Sequence, residues 1–252
     1  MSGQLVNRRI IVTGGATGVG AGAVEALARE GARVAAVYHR SPPPESLADV
    51  ARWWQGDLCD KATVDDLFAD AVRELDGLDV LVHCAGLWAP STPEDLTEED
   101  LDFLLATNLK ATVFTNQAAY AHLRTDGGAI VNVGSCEGVT GNPVAASYAL
   151  SKAAVHAWTR SAARSWGRHR ITVNSLAPAA ETPGADRFRD FLGPEGAARM
   201  ARSTSSSIVI GGSLGDPVDD IGPALVFLAS PGAHFITGQL LAVDGGLMMV
   251  GA

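Results

Sequence analysis

The stretch Thr13-Gly14-Gly15-Ala16-Thr17-Gly18-Val19-Gly20 decides the fold. A short β-branched run, Arg9 to Thr13, stands before it. After it, Val19 to Glu30 carries apolar residues at helical spacing, with Gly31 just past the end. Strand, glycine turn and helix together open a βα unit. Glycines permit a tight turn and let the backbone come close to a pyrophosphate. The helix N-terminus beyond them offers free N–H groups with positive partial charge. Glycine clusters also make ordinary turns, so the placement in the first βα unit is what favours phosphate binding.

Outward from that turn, apolar runs alternate with longer amphipathic stretches. Val34 to Val37 reads as a second strand, and Arg52 to Gln55 as a third, with Asp57 just beyond. Thr63 to Leu75 is helical. Leu78 to Val82 is a nearly continuous apolar strand, as a parallel sheet covered on both faces requires. Two long helices, Glu98 to Leu123 and Ser147 to Gly167, flank the strand Ala129 to Val133. Ile171 to Leu176 and Leu240 to Val243 complete about seven strands. The alternation predicts an α/β fold, a doubly wound parallel sheet of Rossmann type, as a single domain over residues 1–252. Residues 178–215, with the run Ser203 to Ser207, resist assignment. A loop this long in a compact α/β domain is usually functional or mobile, and it reads as a lid over the substrate.

Composition narrows the partners. With 47 % hydrophobic and 19 % charged residues in a chain of 252, a large core is available. A formal net charge of −9 argues against a nucleic-acid partner, which wants a basic face. Met1 to Arg9 has no apolar stretch and is not a signal peptide, and no uncharged run is apolar enough to span a bilayer. Cys59, Cys84 and Cys136 are scattered without CxxC spacing and read as reduced thiols of a cytoplasmic protein. The six histidines show no HxxxH or HExxH pair, so no metal is expected.

The spacing Gly14-x3-Gly18-x-Gly20 differs from the common dinucleotide GxGxxG. It resembles the TGxxxGxG turn of the short-chain dehydrogenase/reductase family. Cys84-Ala85-Gly86 resembles that family's NNAG element, and Asp57-Leu58 its adenine-contacting pair. Asn108, Ser135 and Tyr148-x3-Lys152 match its catalytic positions in order. Pro178-Ala179 stands where the family has a Pro-Gly turn, and Asp244-Gly245-Gly246 resembles its C-terminal signature. Each motif alone is modest; the ordered set, from about Ile10 to Gly246, is specific. Four positions depart from the pattern. His83-Cys84 replaces two asparagines, Ala179 replaces a glycine, and Thr182 sits one residue early.

The resemblance implies an NAD(P)-dependent ketone reductase, or alcohol dehydrogenase in reverse. Tyr148 and Lys152 are four apart on a predicted helix and share a face. A nearby ammonium favours the phenolate and is expected to lower the tyrosine pKa from about 10. Tyr148 would then protonate the alkoxide, Ser135 would bind the substrate oxygen, and Lys152 would also hold the nicotinamide ribose. Asn108 would support a water-linked proton relay. The implied cofactor contacts are Gly14, Thr17, Gly18, Val19, Gly20, Tyr38, His39, Arg40, Asp57, Leu58, Cys84, Ala85, Gly86, Tyr148, Lys152, Pro178 and Ala179. No acidic residue lies between Glu30 and Glu45, where NAD-binding folds place a ribose-binding carboxylate. His39, Arg40 and Ser41 stand there instead, which favours NADP(H) with NAD(H) as the alternative.

Glu137, two residues after Ser135, and Trp88, two after Gly86, are candidate substrate contacts. A carboxylate there would favour a substrate with an amine or several hydroxyls. Trp53-Trp54 and Cys136 read as packing residues, and the arginines at 187, 189, 199 and 202 as a solvated face among acids. By resemblance the chain forms a homotetramer, with helices near Asn108–Leu123 and Ser147–Gly167 at the dimer contacts. A non-catalytic dinucleotide-binding regulator on the same fold is the competing reading.

Overall fold

A computed structural model describes residues 3–249. Seven strands form one parallel sheet: β1 (Arg9–Thr13), β2 (Arg33–Tyr38), β3 (Arg52–Gln55), β4 (Val80–His83), β5 (Gly128–Val133), β6 (Ile171–Pro178) and β7 (Leu240–Val243). Their order across the sheet is β3-β2-β1-β4-β5-β6-β7. The direction of winding reverses between β1 and β4, and a crevice for ligands opens there, beyond the carboxyl ends of the strands. The last pair of the β1–β4 register is Thr13 with His83. Gly14 and Cys84 therefore enter the crevice side by side.

Alternation along β1 sends Ile10 and Val12 to one face and Ile11 to the other. On the first face, β1, β4 and β5 pack against α1 (Gly18–Arg29) and α8 (Gly222–Ala229) through Val24, Leu27, Leu225 and Leu228. On the second they pack against α2 (Lys61–Leu75), α4 (Ala111–Leu123) and α6 (Ala146–Trp166) through Phe68, Leu123 and Trp166. Both faces are covered, which is why β4 reads VLVH with every residue buried. Trp53 and Trp54, neighbours on β3, pack against opposite clusters, as the packing reading expected.

Five elements differ from the sequence expectations. The strand before the fourth turn begins at Val80, not Leu78, because Asp79 is held by Arg9 in a salt bridge of 2.8 Å at the strand's foot. The helix expected over Glu98 to Leu123 is α3 (Glu98–Leu104), a π-helical turn Leu105–Lys110, and then α4. Residues 178–215 are not a loop. They hold α7 (Pro183–Ser207), two helices joined at Gly193, whose φ of 65° and ψ of 176° break the helical path before Pro194. Their glycine, proline and serine content hid the helical period. The helix α8 was likewise hidden, its uniform apolarity giving no period to read. Finally, α5 (Glu137–Thr140) is a single turn between β5 and α6.

Candidate active site

Two glycines explain the turn. Gly14 has φ +64°, and a Cβ there would lie 2.8 Å from the backbone of Ala85, so the loops after β1 and β4 touch main chain to main chain. A Cβ on Gly20 would lie 2.0 Å from the carbonyl oxygen of Gly14. The turn is thus closed around Gly20, and α1 starts at Gly18 with no side chain capping its first turn. Its first N–H groups have no intrahelical partners and offer themselves to an anion. That donor set fits the pyrophosphate of a dinucleotide. Tyr38 is half-buried at the end of β2, and His39 and Arg40 beyond it are exposed. Arg40 joins no ion pair among the described residues. Asp57 is exposed and accepts from Cys59 N–H at 2.9 Å, while Leu58 is buried in the core. A cavity of about 410 Å³ beside the turn is lined by Gly18 of the turn and by Thr182 and Pro183, and by no catalytic candidate. Its carboxylates, Glu25, Glu181 and Asp186, would repel a phosphate.

The family departures have local compensations. His83 Nδ1 lies 2.8 Å from Thr13 Oγ1 on β1 and 3.0 Å from Thr115 Oγ1 on α4, so the imidazole ties β4 to both. Burial lowers its pKa to about 3, with the Lys152 charge adding, and the ring is neutral. Cys84 is half-buried beside Lys152, and desolvation pushes its thiol up to about 12. Ala179 lies outside the positive-φ region and continues the sheet, its N–H donating to Val243 O at 3.1 Å, so a side chain is accommodated. Thr182 caps α7, accepting from Ala185 N–H at 3.2 Å.

The catalytic candidates converge beyond β4, β5 and the start of α6. Asn108 sits on the π-helical turn, fully buried. Its Oδ1 accepts from Leu87 N–H at 2.7 Å, and its Nδ2 donates to Leu87 O and Ser151 Oγ, each at 2.9 Å. Both amide hydrogens are used, and one lone pair remains on Oδ1. Gly86 is where Asn108 and Lys152 meet: a Cβ there would lie 3.2 Å from Asn108 Oδ1 and 3.3 Å from Lys152 Nζ.

Lys152 is 4 % exposed, and Nζ donates to Val133 O at 2.8 Å. Burial lowers its pKa to about 8, against the pull of Cys84. The Tyr148 phenol stands well above its ordinary pKa. Burial is the main cause, and the Glu137 charge adds to it, while the Ser135 hydroxyl opposes. This corrects the expectation that Lys152 lowers it. Nζ lies 5.8 Å from the Tyr148 ring centroid and donates to Val133 O, and the Tyr148 phenol is governed by burial. Burial and the Glu137 charge raise the Cys136 thiol, which disfavours the thiolate that a nucleophile needs.

Glu137 donates its N–H to Ser135 Oγ at 3.2 Å. Burial raises its carboxyl pKa, opposed by Asn142 and Trp88. Trp88 is 8 % exposed and packs its ring at 5.0 Å from Phe188 and 6.3 Å from Phe191, both on α7. Sequence reasoning missed three supporting residues. Ser151 holds Asn108, and Phe188 carries α7 onto Trp88. His156 Nε2 accepts from Ser135 N–H at 3.4 Å. His156 lies four residues after Lys152, so the helical spacing that pairs Tyr148 with Lys152 would have found it.

This fold and site define a nicotinamide-dependent oxidoreductase, and the chain belongs to the short-chain dehydrogenase/reductase family. Residues 14–248 match a family model described as enoyl-(acyl carrier protein) reductase. The short-chain reductase protein NovJ of Streptomyces niveus is 34 % identical over 94 % of this chain and 92 % of its own length. The 3-oxoacyl-[acyl-carrier-protein] reductase FabG of Thermotoga maritima is 31 % identical over 98 % and 100 %. Among solved structures, a putative short-chain alcohol dehydrogenase from Sinorhizobium meliloti superposes with a TM-score of 0.87 at 32 % identity, covering 96 % of this chain and 97 % of that one. A short-chain dehydrogenase/reductase from Serratia marcescens gives 0.84 at 32 %, covering 97 % and 99 %. Among the described residues, no helix is long and apolar enough to cross a membrane.

Proposed function

We propose that this chain reduces a ketone to a secondary alcohol, using NADP(H) in preference to NAD(H). The observation that carries the reading is the convergence of Ser135, Tyr148 and Lys152 in the crevice at the β1–β4 reversal. When bound, the nicotinamide supplies the hydride. Ser135 Oγ holds the substrate oxygen and the Tyr148 phenol gives it a proton. A phenol kept protonated by burial suits the reducing direction. Lys152 holds the nicotinamide ribose, and Asn108 Oδ1 keeps one lone pair for a relay water. The residues Gly14, Thr17, Gly18, Val19 and Gly20 cradle the pyrophosphate, and Asp57-Leu58, Cys84-Ala85-Gly86 and Pro178-Ala179 line the remainder. In this reading α7 is the lid, closing on Trp88. The protein works in the cytoplasm as a homotetramer through α4 and α6, where Leu150 is an exposed apolar residue.

The test is NADPH oxidation by the purified protein against a panel of ketones, run beside Tyr148→Phe. The variant keeps the ring and deletes only the proton. It should bind NADPH as the parent does and lose nearly all turnover. A substantial residual rate would remove Tyr148 from the mechanism, and no NADPH oxidation by any ketone would remove the activity.

A further inference from the structure

Tyr148 is the third residue of α6, so the point where this helix begins fixes the place of its phenol. The first N–H groups of a helix have no acceptor within it and must find one elsewhere. The residue at the boundary usually offers a side-chain oxygen, but here it is Ala145, which has none.

The cap comes from Ser91, 56 residues away in the chain. Ser91 O accepts from Ala146 N–H at 2.9 Å, and Ser91 Oγ accepts from Ser147 N–H at 3.0 Å. The hydroxyls of Ser91 and Ser147 pair at 2.8 Å, and Ser91 N–H donates to Val144 O at 3.0 Å. One residue thus grips the chain on both sides of the helix start. Ser147 is 1 % exposed, so water does not stand ready to replace a lost partner.

Ser91 ends a short segment that serves the rest of the site. Leu87 holds Asn108 through its main-chain N–H and O, and Trp88 meets Phe188 of α7. Pro90 stiffens the approach to Ser91 by fixing its own φ. Residues 87–91 therefore tie Asn108, α7 and the start of the Tyr148 helix to one piece of backbone.

We infer that Ser91 is a positioning residue for Tyr148, the cap of its helix supplied from the loop after β4. The inference rests on the reading of Tyr148 as the proton donor. Ser91→Ala removes the Oγ acceptor and strands the buried N–H of Ser147. The first turn of α6 then gains by opening to solvent, which carries the Tyr148 ring away from Ser135. A displacement of about 1 Å at reacting groups costs on the order of 10²-fold in rate.

The experiment has an arm that needs no turnover. Amide hydrogen exchange of the parent should show Ser147 N–H protected by about tenfold or more, although it has no acceptor within α6, and Ser91→Ala should lose that protection. The second arm is turnover with NADPH and the best ketone of the panel. Ser91→Ala should lose about tenfold or more in kcat, with the Kd for NADPH within about twofold of the parent. Ser91→Thr and Ser91→Asp keep an acceptor suited to a helix N-terminus, and at least one should recover most of the lost kcat. An unprotected Ser147 amide in the parent would overturn the cap without any variant. Lost protection with kcat unmoved would leave a structural cap only and overturn the positioning role, as would a kcat loss that neither Thr nor Asp repairs. Absence of NADPH oxidation by the parent with every ketone would remove the activity, and the role with it.

Discussion

Lys152 Nζ is bonded at 2.8 Å to the main-chain oxygen of Val133, the last residue of β5. The ammonium therefore sits where a strand ends, buried, and carries a desolvation cost that shows in its lowered pKa.

That cost has a pH signature. Lys152 titrates at about 8 in the folded chain against 10.5 ordinarily. Below pH 8 both states are charged and the penalty is full. As pH rises from about 8 to 10.5 the folded lysine loses its proton first, and the penalty disappears. Lys152→Met never carries it. Its stability relative to the parent should fall by about 2 kcal/mol between pH 8 and 9.5, at about 1.36 kcal/mol per pH unit. Urea unfolding at the two pH values measures this, and a constant difference would refute the buried-ammonium account.

His83 should act at the acid end. Its folded pKa of about 3 lies below the ordinary 6.5, so it contributes stability present above pH 6.5 and lost as pH falls toward 3. His83→Asn keeps a donor for Thr13 and removes the titration. Between pH 7 and 5 the parent should lose about 2 kcal/mol more than the variant. Parallel losses in denaturant titrations would show that the imidazole is not buried neutral.

The sheet and the motif-bearing loops were legible because their signals are local: β-branched runs, the glycine turn at 14–20 and the Tyr148–Lys152 spacing. What was hidden depends on contacts distant in sequence. Nothing near Lys152 announces that its ammonium will donate to Val133 O, or that burial and Glu137 will raise the Tyr148 pKa. Nothing around Phe188 announces Trp88, one hundred residues earlier in the chain. The π-helical turn around Asn108 was likewise invisible, since an extra residue in a helical turn leaves composition unchanged.

The α7 contact should govern local opening. Of residues 183–207 only Gly196 is buried, so α7 is held by few contacts, the Trp88–Phe188 pair among them. Phe188→Ala should remove about 0.5–1.5 kcal/mol beyond lost area. Limited proteolysis near Gly193 should speed up several-fold with the global Tm little changed. Unchanged cleavage would mean that α7 is anchored elsewhere.

Arg40 should set the cofactor preference. It is exposed at the end of β2, where the chain leaves the sheet and NAD-binding folds place a carboxylate for the ribose hydroxyls. That carboxylate would repel a 2′-phosphate, and between Glu30 and Glu45 this chain has none. A guanidinium can grip the phosphate with two parallel N–H donors, and Ser41 can add a hydroxyl. Thr17, in the glycine turn, brings no second charge, so the discrimination falls on Arg40. Losing a charge-assisted contact of this kind costs on the order of 1.5–3 kcal/mol. Arg40→Ala should therefore raise KM for NADPH roughly tenfold or more, at about 1.4 kcal/mol per decade, and leave KM for NADH almost unmoved. The selectivity should also weaken with added salt, because the pair is solvent-exposed and screened. Steady-state kinetics with both cofactors at two ionic strengths measures all of this. Equal efficiency of the parent with NADH and NADPH, or a loss in the variant shared by both, would refute the role of Arg40.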